Sequence, residues 1–202
     1  MDTTNYEKFQ TGNPVVRRLF DRFFDRVSDQ IAAAAPTRVL DAGCGEGETI
    51  ERLRDLLPTP VQGVDLNPGS VEFASERLPE DSFEVGDLTD LRFDDDSFDL
   101  VLCLEVLEHI PDPEPALREM ARVSSSELLI SVPHEPWFRL GSLARGNYLS
   151  DWGNHPEHVN HWNPRTLRRF LEPTVDVVEI GTSLPWVIAR CRVRDAGNGS
   201  GN

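Results

Sequence analysis

The stretch Val39-Leu-Asp-Ala-Gly-Cys-Gly-Glu-Gly47 places three glycines at alternating positions between an apolar run and a helical stretch. Glycine lets the backbone turn tightly and approach a ligand without a clashing Cβ. The N-terminus of the helix that follows offers free N–H groups to an anionic group. A dinucleotide-binding fingerprint requires glycine at position 48, where this chain has Glu48, so a nicotinamide oxidoreductase is disfavoured.

Hydrophobic periodicity around this loop alternates between that of strands and that of helices. Helical spacing predicts helices over residues 15–35, 48–57, 69–78, 115–123 and 164–171, the last capped by Asn163. Short apolar runs predict strands over 38–41, 61–66, 82–85, 97–104 and 127–132, and a closing antiparallel pair over 175–180 and 184–193. The alternation predicts an α/β fold, with a mostly parallel sheet covered by helices on both faces.

Four motifs follow one another along about residues 39–132. They are Asp41 with the glycine loop, Asp65 at the end of the second strand, Asp87-Leu88 after the third strand, and the run Phe98-Asp-Leu-Val-Leu-Cys-Leu-Glu-Val-Leu-Glu-His-Ile-Pro111. Together they resemble class I S-adenosylmethionine-dependent methyltransferases, in particular the small-molecule, methyltransferase type 11-like group. The resemblance implies a Rossmann-like, seven-stranded sheet and S-adenosylmethionine as the cofactor.

The resemblance also assigns cofactor-binding roles to residues of these motifs. Asp65 binds both ribose hydroxyls, and Leu66 packs against the adenine. Asp87 and the backbone N–H of Leu88 read the adenine edge, while Cys103 lies near the cofactor amine through its backbone carbonyl. The residues around the methionine moiety are Asp41, Gly43, Cys44 and Gly45.

The acceptor chemistry rests on a second group of polar residues. Methyl transfer needs alignment of the reacting groups, and a base if the nucleophile carries a proton. On a helical turn, Glu105, Glu108 and His109 share one face. We take His109 and Glu105 as the candidate catalytic residues, with His109 as a general base whose activity falls below roughly pH 6.5.

A divalent metal is the alternative use of these residues. Small-RNA terminal 2′-O-methyltransferases bind a metal through a Glu-x-x-Glu-His turn and a later histidine four residues before a tryptophan. Glu105-Val-Leu-Glu108-His109 and His158, four residues before Trp162, resemble that arrangement. Carboxylates and neutral imidazoles can hold a metal that polarises a hydroxyl. The same string occurs in metal-free relatives, where it only shapes the pocket, and we favour that interpretation.

The motifs belong to one expected domain over residues 1–194. Residues 1–36 are expected to form an N-terminal arm and helix. The piece Tyr6-Glu-Lys-Phe-Gln-Thr-Gly-Asn-Pro14 resembles the opening of many such enzymes, where it folds over the cofactor; the alternative is an ordinary N-terminal arm. Residues 133–163 are rich in aromatic side chains and histidine and have few periodic signals, which is typical of a functional lid after the fifth strand. The tail over 195–202, rich in glycine, serine and asparagine, is expected to be disordered.

Composition restricts the partners of the protein. The formal net charge is −15, and Lys8 is the only lysine, which indicates a protein kept soluble in high salt. This charge disfavours a nucleic-acid substrate, because phosphate backbones are usually bound by a basic surface. The polar N-terminus and the lack of a roughly 20-residue apolar stretch indicate a cytoplasmic protein without a membrane span. Three cysteines without metal-type spacing indicate buried thiols rather than disulfides.

The favoured function is methyl transfer from S-adenosylmethionine to a small-molecule acceptor. The alternative is a non-catalytic S-adenosylmethionine-binding regulatory protein, which the several polar groups of the lid disfavour. The sequence leaves open which acceptor is used, whether oxygen, nitrogen or carbon is methylated, and the oligomeric state.

Overall fold

The computed structural model of the protein describes residues 13–135 and 160–194. Residues 1–12 of the expected arm, residues 136–159 of the expected lid and the tail from 195 lie outside the described residues. Within the two described ranges, no helix combines the length and apolarity that a membrane crossing requires.

The described chain forms a seven-stranded sheet with helices packed on it. The helices are α1 (Pro14–Ala34), α2 (Glu48–Arg52), α3 (Pro68–Arg77), α4 (Pro113–Val123) and α5 (Pro164–Leu171). The strands are β1 (Val39–Ala42), β2 (Gln62–Asp65), β3 (Ser82–Val85), β4 (Phe98–Leu104), β5 (Ser124–Pro133), β6 (Asp176–Ser183) and β7 (Trp186–Arg192). The predicted α/β fold and its closing antiparallel pair are confirmed.

The strand order is β3-β2-β1-β4-β5-β7-β6, in which β7 alone runs antiparallel to both of its neighbours. The chain builds outward from β1 through β2 to β3, and then returns to the other side of β1 with β4. Ligands of open α/β sheets bind at such a reversal, beyond the carboxyl ends of the strands. The glycine loop follows β1 at this point of the sheet.

Buried side chains fill both faces of the sheet. On one face, α1 packs Phe23 and Ile31 against a cluster that includes Leu100 of β4. On the other face, α4 packs Leu117 and Met120 against a second cluster. Each fully buried aliphatic side chain contributes on the order of 1.5–3 kcal/mol, so the two layers hold the sheet edge that carries the motifs.

Local signals set the helix ends. The side chain of Asn163 accepts hydrogen bonds from the N–H groups of Arg165 and Thr166, and the Asn163 N–H donates to the Thr166 hydroxyl oxygen, which confirms the predicted cap. The helix predicted over 48–57 is shorter than expected, because α2 ends at Arg52 and a 3-10 turn follows over Arg54–Leu56. Pro58 forces Leu57 into extended backbone, so the last turn tightens before it.

Candidate functional site

The glycine loop turns sharply as it leaves β1. Gly43, Gly45 and Gly47 all have positive φ angles, of 87°, 52° and 77°. The N–H groups of Gly43 and Cys44 both donate to the Val64 carbonyl of β2, at 2.8 and 3.0 Å. The loop is therefore tied to the neighbouring strand and needs residues that tolerate left-handed backbone.

Two of these glycines differ in what surrounds them. A Cβ placed on Gly43 would lie 2.4 Å from Cγ2 of Val106, so the loop packs directly against the turn that follows β4. A Cβ placed on Gly45 would meet no described atom within 4 Å. The loop is closed against the protein at Gly43 and open to a ligand at Gly45.

Asp41 lies in β1, two residues before the first glycine of this loop. Its side chain is almost fully buried, with the residue 2% exposed, and its Oδ2 atom has no hydrogen-bond partner within the described part of the chain. Burial raises the pKa of Asp41 to about 7, and the nearby charge of Asp65 adds to the increase. A buried carboxyl group without a positive partner is a place where a cationic ligand group gains most.

Asp65 holds the loop from the end of β2. Its Oδ2 atom accepts a hydrogen bond from the Gly45 N–H, and its Oδ1 atom accepts one from the Asn67 N–H, both at 2.8 Å. The side chain of Asn67 in turn caps α3. The next residue, Leu66, leaves a large apolar side chain 71% exposed at the same edge.

The third motif lies beside Asp65. The Gly86 N–H donates to the Asp65 carbonyl at 3.0 Å, which brings the start of the loop after β3 to the end of β2. The exposed Asp87 carboxylate accepts from the backbone N–H and from the hydroxyl of Thr89, and these bonds lower its pKa. Leu88 is buried. The structure thus brings the three predicted acidic residues of the first three motifs to one edge of the sheet.

The cysteine thiols are buried and unpaired with one another. Cys44 and Cys103 are both buried, and all three cysteines are free. Burial raises the pKa of the Cys103 thiol well above its ordinary value, and the charges of Glu108, Asp41 and Glu105 act in the same direction. The Cys103 thiol therefore stays neutral, with three carboxyl groups around it.

The prediction that Glu105, Glu108 and His109 share one face of a helical turn is wrong. Glu105 has a positive φ of 61° and precedes a short 3-10 turn over Leu107–His109, so it is not part of a helix. Its carboxylate accepts hydrogen bonds from the Ser131 hydroxyl, at 2.8 Å, and from the Trp186 indole. Glu108 is 1% exposed, whereas the His109 side chain is 40% exposed.

The two glutamates nevertheless interact electrostatically. Burial raises the pKa of Glu105 to about 8, against the opposing effect of its hydrogen bonds. Burial also raises the pKa of Glu108, and the charge of Glu105 raises it further. Oε2 of Glu108 has no hydrogen-bond partner among residues 13–135 and 160–194, and Oε1 lies 3.9 Å from Nε2 of His109.

The described positions of Glu105, Glu108 and His109 do not by themselves form a metal site. Among the residues that the structure describes, no group of three or more histidine, cysteine, aspartate or glutamate side chains is placed to hold a metal ion. His158 lies outside the described residues, so the set that includes it stays a prediction.

Both ends of the expected lid return to this region. The Glu135 N–H donates to the Trp162 carbonyl at 2.8 Å, so the segment leaves and re-enters the sheet edge side by side. The Asn160 N–H donates to the Glu108 carbonyl at 3.2 Å, and its side chain donates to the Ile110 carbonyl at 2.6 Å. The re-entering chain is thus fastened to the turn that carries Glu108.

Sequence reasoning missed three contributors to the site: Ser131, Trp186 and Asn160. Ser131 lies 26 positions from the glutamate that it contacts, and Asn160 lies 50 positions from Ile110. No local pattern marks a residue whose role comes from a strand pairing or a returning segment. The serine could have been found only from the register that pairs Leu104 with Ser131.

Comparisons with known proteins agree with this geometry. Residues 40–127 match the family described as "Methyltransferase domain". The chain is 34% identical over 103 residues to ajmaline N-methyltransferase of Rauvolfia serpentina, covering 48% of this chain and 35% of that protein. It is 35% identical over 108 residues to 27-O-demethylrifamycin SV methyltransferase of Amycolatopsis mediterranei, covering 50% and 40%. The chain therefore spans well under two thirds of the length of these relatives.

A solved structure agrees over a longer range. Magnesium protoporphyrin IX methyltransferase of Synechocystis, with bound SAH, superposes with a TM-score of 0.68. The match covers 91% of this chain and 89% of that chain at 20% identity. At this identity the similarity concerns the fold.

Proposed function

Because the chain belongs to the class I S-adenosylmethionine-dependent methyltransferases, we propose that it transfers the methyl group of S-adenosylmethionine to a small-molecule acceptor. The observation that carries this proposal is the buried, unpartnered Oδ2 atom of Asp41 directly below the glycine loop. A buried carboxyl group of this kind fits the ammonium group of the methionine moiety. The opening at Gly45 fits a ligand that passes close to the backbone.

Residues of all four motifs divide the cofactor between them. S-adenosylmethionine supplies a methyl group on a sulfonium, and the protein holds and orients it. Asp41 accepts the ammonium, and backbone of the loop and of β4 lines the methionine moiety, through Gly43, Cys44, Gly45 and Cys103. Asp65 accepts the ribose hydroxyls, and the exposed Leu66 covers one face of the adenine. Asp87 and the Leu88 N–H receive the adenine edge.

His109 and Glu105 are the proposed acceptor-side residues. The exposed imidazole of His109 can take a proton from an incoming nucleophile. Glu105 is held by Ser131 and Trp186, so its carboxyl group has a defined orientation. Both residues lie on the turn whose Val106 contacts Gly43, which brings the acceptor side next to the cofactor loop.

The test is direct. The purified full chain is incubated with S-adenosylmethionine carrying a deuterated methyl group and with extracts of small molecules, and products that gain the labelled methyl group are identified by mass spectrometry. Transfer of the label to a small molecule supports the proposal. Tight cofactor binding without transfer to any acceptor would favour a regulatory binding protein, and absence of binding would refute the proposal altogether.

Asp65→Ala is expected to weaken S-adenosylmethionine binding about 5- to 150-fold, corresponding to 1–3 kcal/mol for lost charge-assisted hydrogen bonds. Calorimetry on the folded variant measures the change. Since Asp65 also accepts the Gly45 N–H, loss of affinity alone does not separate ribose binding from loop support.

A cofactor analogue lacking the ribose 2′-hydroxyl supplies the control for Asp65. Removal of the hydroxyl should weaken binding to the wild type but leave binding to Asp65→Ala almost unchanged, because the hydroxyl has then already lost its acceptor. If removal of the hydroxyl weakened binding equally in the wild type and in Asp65→Ala, the ribose assignment would be contradicted. Asp65 would then act only by supporting the glycine loop.

We also propose that the chain works in a salt-rich cytoplasm and does not act on nucleic acid. The net charge of −15 and the single lysine support the first statement, and the same charge supports the second. The free and buried cysteines fit a reducing compartment.

Stability should rise as sodium chloride increases from 0.1 to 1 M, because the screening length falls from about 10 to about 3 Å and self-repulsion weakens. Thermal melting measures the rise. A matched variant replaces the exposed Asp21, Asp25 and Asp29 of α1 by asparagine and lowers the net negative charge by three. Its melting temperature should depend less on salt; a flat curve for the wild type would contradict the halophilic assignment.

A further inference from the structure

The carboxyl groups of Glu105 and Glu108 lie at the carboxyl edge of β4, directly beside the glycine loop. The contact that fixes this position is between Val106, which stands between the two glutamates in the chain, and Gly43. Asn160 fastens the same turn from the other side, through the Glu108 and Ile110 carbonyls. The pair therefore has a fixed place on the acceptor side of the loop.

Glu108 has a buried carboxyl oxygen that can accept a hydrogen bond from a ligand. The residue is 1% exposed, and its Oε2 atom has no hydrogen-bond partner in the described part of the chain. Its Oε1 atom lies 3.9 Å from Nε2 of His109, whose side chain is 40% exposed, so the buried carboxyl group is next to a side chain that reaches solvent. A buried polar atom without a partner costs about 1–3 kcal/mol, and a ligand donor at that place recovers this cost.

The charges around the pair decide which ligand fits. Within residues 13–135 and 160–194, no arginine or lysine forms an ion pair with Glu105 or Glu108. The other carboxyl group close to Cys103 is Asp41. Asp41 is the group proposed for the cofactor ammonium, and the basic group beside Glu108 is the His109 ring, whose Nε2 lies 3.9 Å from Oε1. Glu105 and Glu108, which have no arginine or lysine partner among the described residues, make a site for a second cation rather than for an anion.

We propose that Glu108, supported by Glu105, binds the protonated amine of the acceptor, so that the substrates are small amines rather than alcohols or carboxylic acids. This inference rests on the methyl-transfer function proposed above. Burial raises the pKa of Glu108 in the ligand-free protein, and the positive charge of a bound ammonium group opposes this and favours the ionised carboxylate. Oε2 of that carboxylate then accepts the proton that the ammonium group must lose before its nitrogen can act as a nucleophile. Selection of amines over alcohols then follows from the hydrogen bond and charge at that one atom.

Three matched probe pairs test the inference: benzylamine and benzyl alcohol, cyclohexylamine and cyclohexanol, and tryptamine and tryptophol. Their binding to the full chain is measured by calorimetry at neutral pH in the presence of S-adenosylhomocysteine. At least one amine should bind about tenfold more tightly than its alcohol, the scale of one hydrogen bond to a charged group. Glu108→Gln should reduce that preference to within about twofold.

Two further variants keep the result interpretable. Glu105→Gln should weaken the preference without removing it, and it serves if Glu108→Gln does not fold. Glu80→Gln removes the same charge from an exposed position outside the site, and it should leave the preference unchanged.

The outcomes separate this inference from the proposed function. Failure of S-adenosylhomocysteine itself to bind would refute the function. Normal binding of S-adenosylhomocysteine with no amine preferred in any pair would refute the amine site alone. Manganese binding that is lost in Glu108→Gln and blocks the amines would also overturn the inference, in favour of a metal at the same carboxyl groups.

Discussion

Replacing Asp41 by asparagine is expected to stabilise the ligand-free protein at pH 8 by on the order of 4 kcal/mol, at 1.36 kcal/mol per pKa unit. The carboxyl group ionises near 3.8 in the unfolded chain and near 7 in the fold, where burial opposes its charge. Between these values the unfolded chain binds fewer protons, so the wild type loses stability as the pH rises from about 4 to about 7. An asparagine of nearly the same shape does not ionise and removes this loss.

The same substitution should weaken S-adenosylmethionine binding about a hundredfold, because a buried ammonium would lose its charged partner. Denaturant unfolding between pH 4 and 8 measures the stability, and calorimetry measures the affinity. The pH dependence should be reduced rather than abolished, since the raised pKa values of Glu105 and Glu108 act in the same direction. A variant that binds the cofactor as well as the wild type would remove Asp41 from the site.

Asp99→Asn is the matched control, on the opposite edge of the sheet. Although its partial burial acts the other way, hydrogen bonds from Thr37 and Arg38 lower the pKa of Asp99. Its contribution to stability is therefore present above the unfolded pKa and is lost as the pH falls. Asp99→Asn should destabilise the protein at neutral pH and leave cofactor affinity unchanged, the reverse of the expected result at Asp41.

Gly45→Ala and Gly43→Ala should differ in how much stability they lose. Gly45→Ala should fold with a loss of about 1–2 kcal/mol, because its φ of 52° is strained for alanine and its Cβ meets no described atom. It should still lose more than about tenfold in cofactor affinity, since the Cβ occupies space proposed for the ligand. Gly43→Ala should lose several kcal/mol of stability as well, on the order of 2–4, because its Cβ meets Val106.

The double variant Gly43→Ala/Val106→Ala separates clash from backbone strain. Removal of the two Val106 methyl groups should restore part of the stability that Gly43→Ala loses, which thermal unfolding of the four proteins in a cycle would measure. No recovery would mean that the positive φ of 87°, and not the contact, is the cause. Undiminished cofactor affinity of Gly45→Ala would show that the open side of the loop is not where the ligand lies.

Several features of this protein follow from local sequence alone. The alternation of strand and helix periodicities predicts the layered α/β fold, because a parallel strand buried on both faces is apolar throughout and a covering helix has one apolar face. Asn163 followed by Pro164 predicts the start of α5. The cap is local, because the Asn163 side chain accepts from backbone N–H groups only two and three residues further along the chain. The glycine spacing predicts the turn after β1 for the same reason: the required backbone angles belong to those residues themselves.

The acceptor side depended on tertiary structure. The string Glu105-Val-Leu-Glu108-His109 has helical spacing, yet the chain leaves β4 through a left-handed Glu105 and tightens into a 3-10 turn. That path is set by contacts distant in the chain: Val106 against Gly43, Glu105 with Ser131 and Trp186, and Asn160 on the Glu108 carbonyl. Which carboxyl groups become buried without a partner is decided only when strands from different parts of the chain meet, because burial and hydrogen-bond satisfaction are properties of the packed edge and not of any one segment.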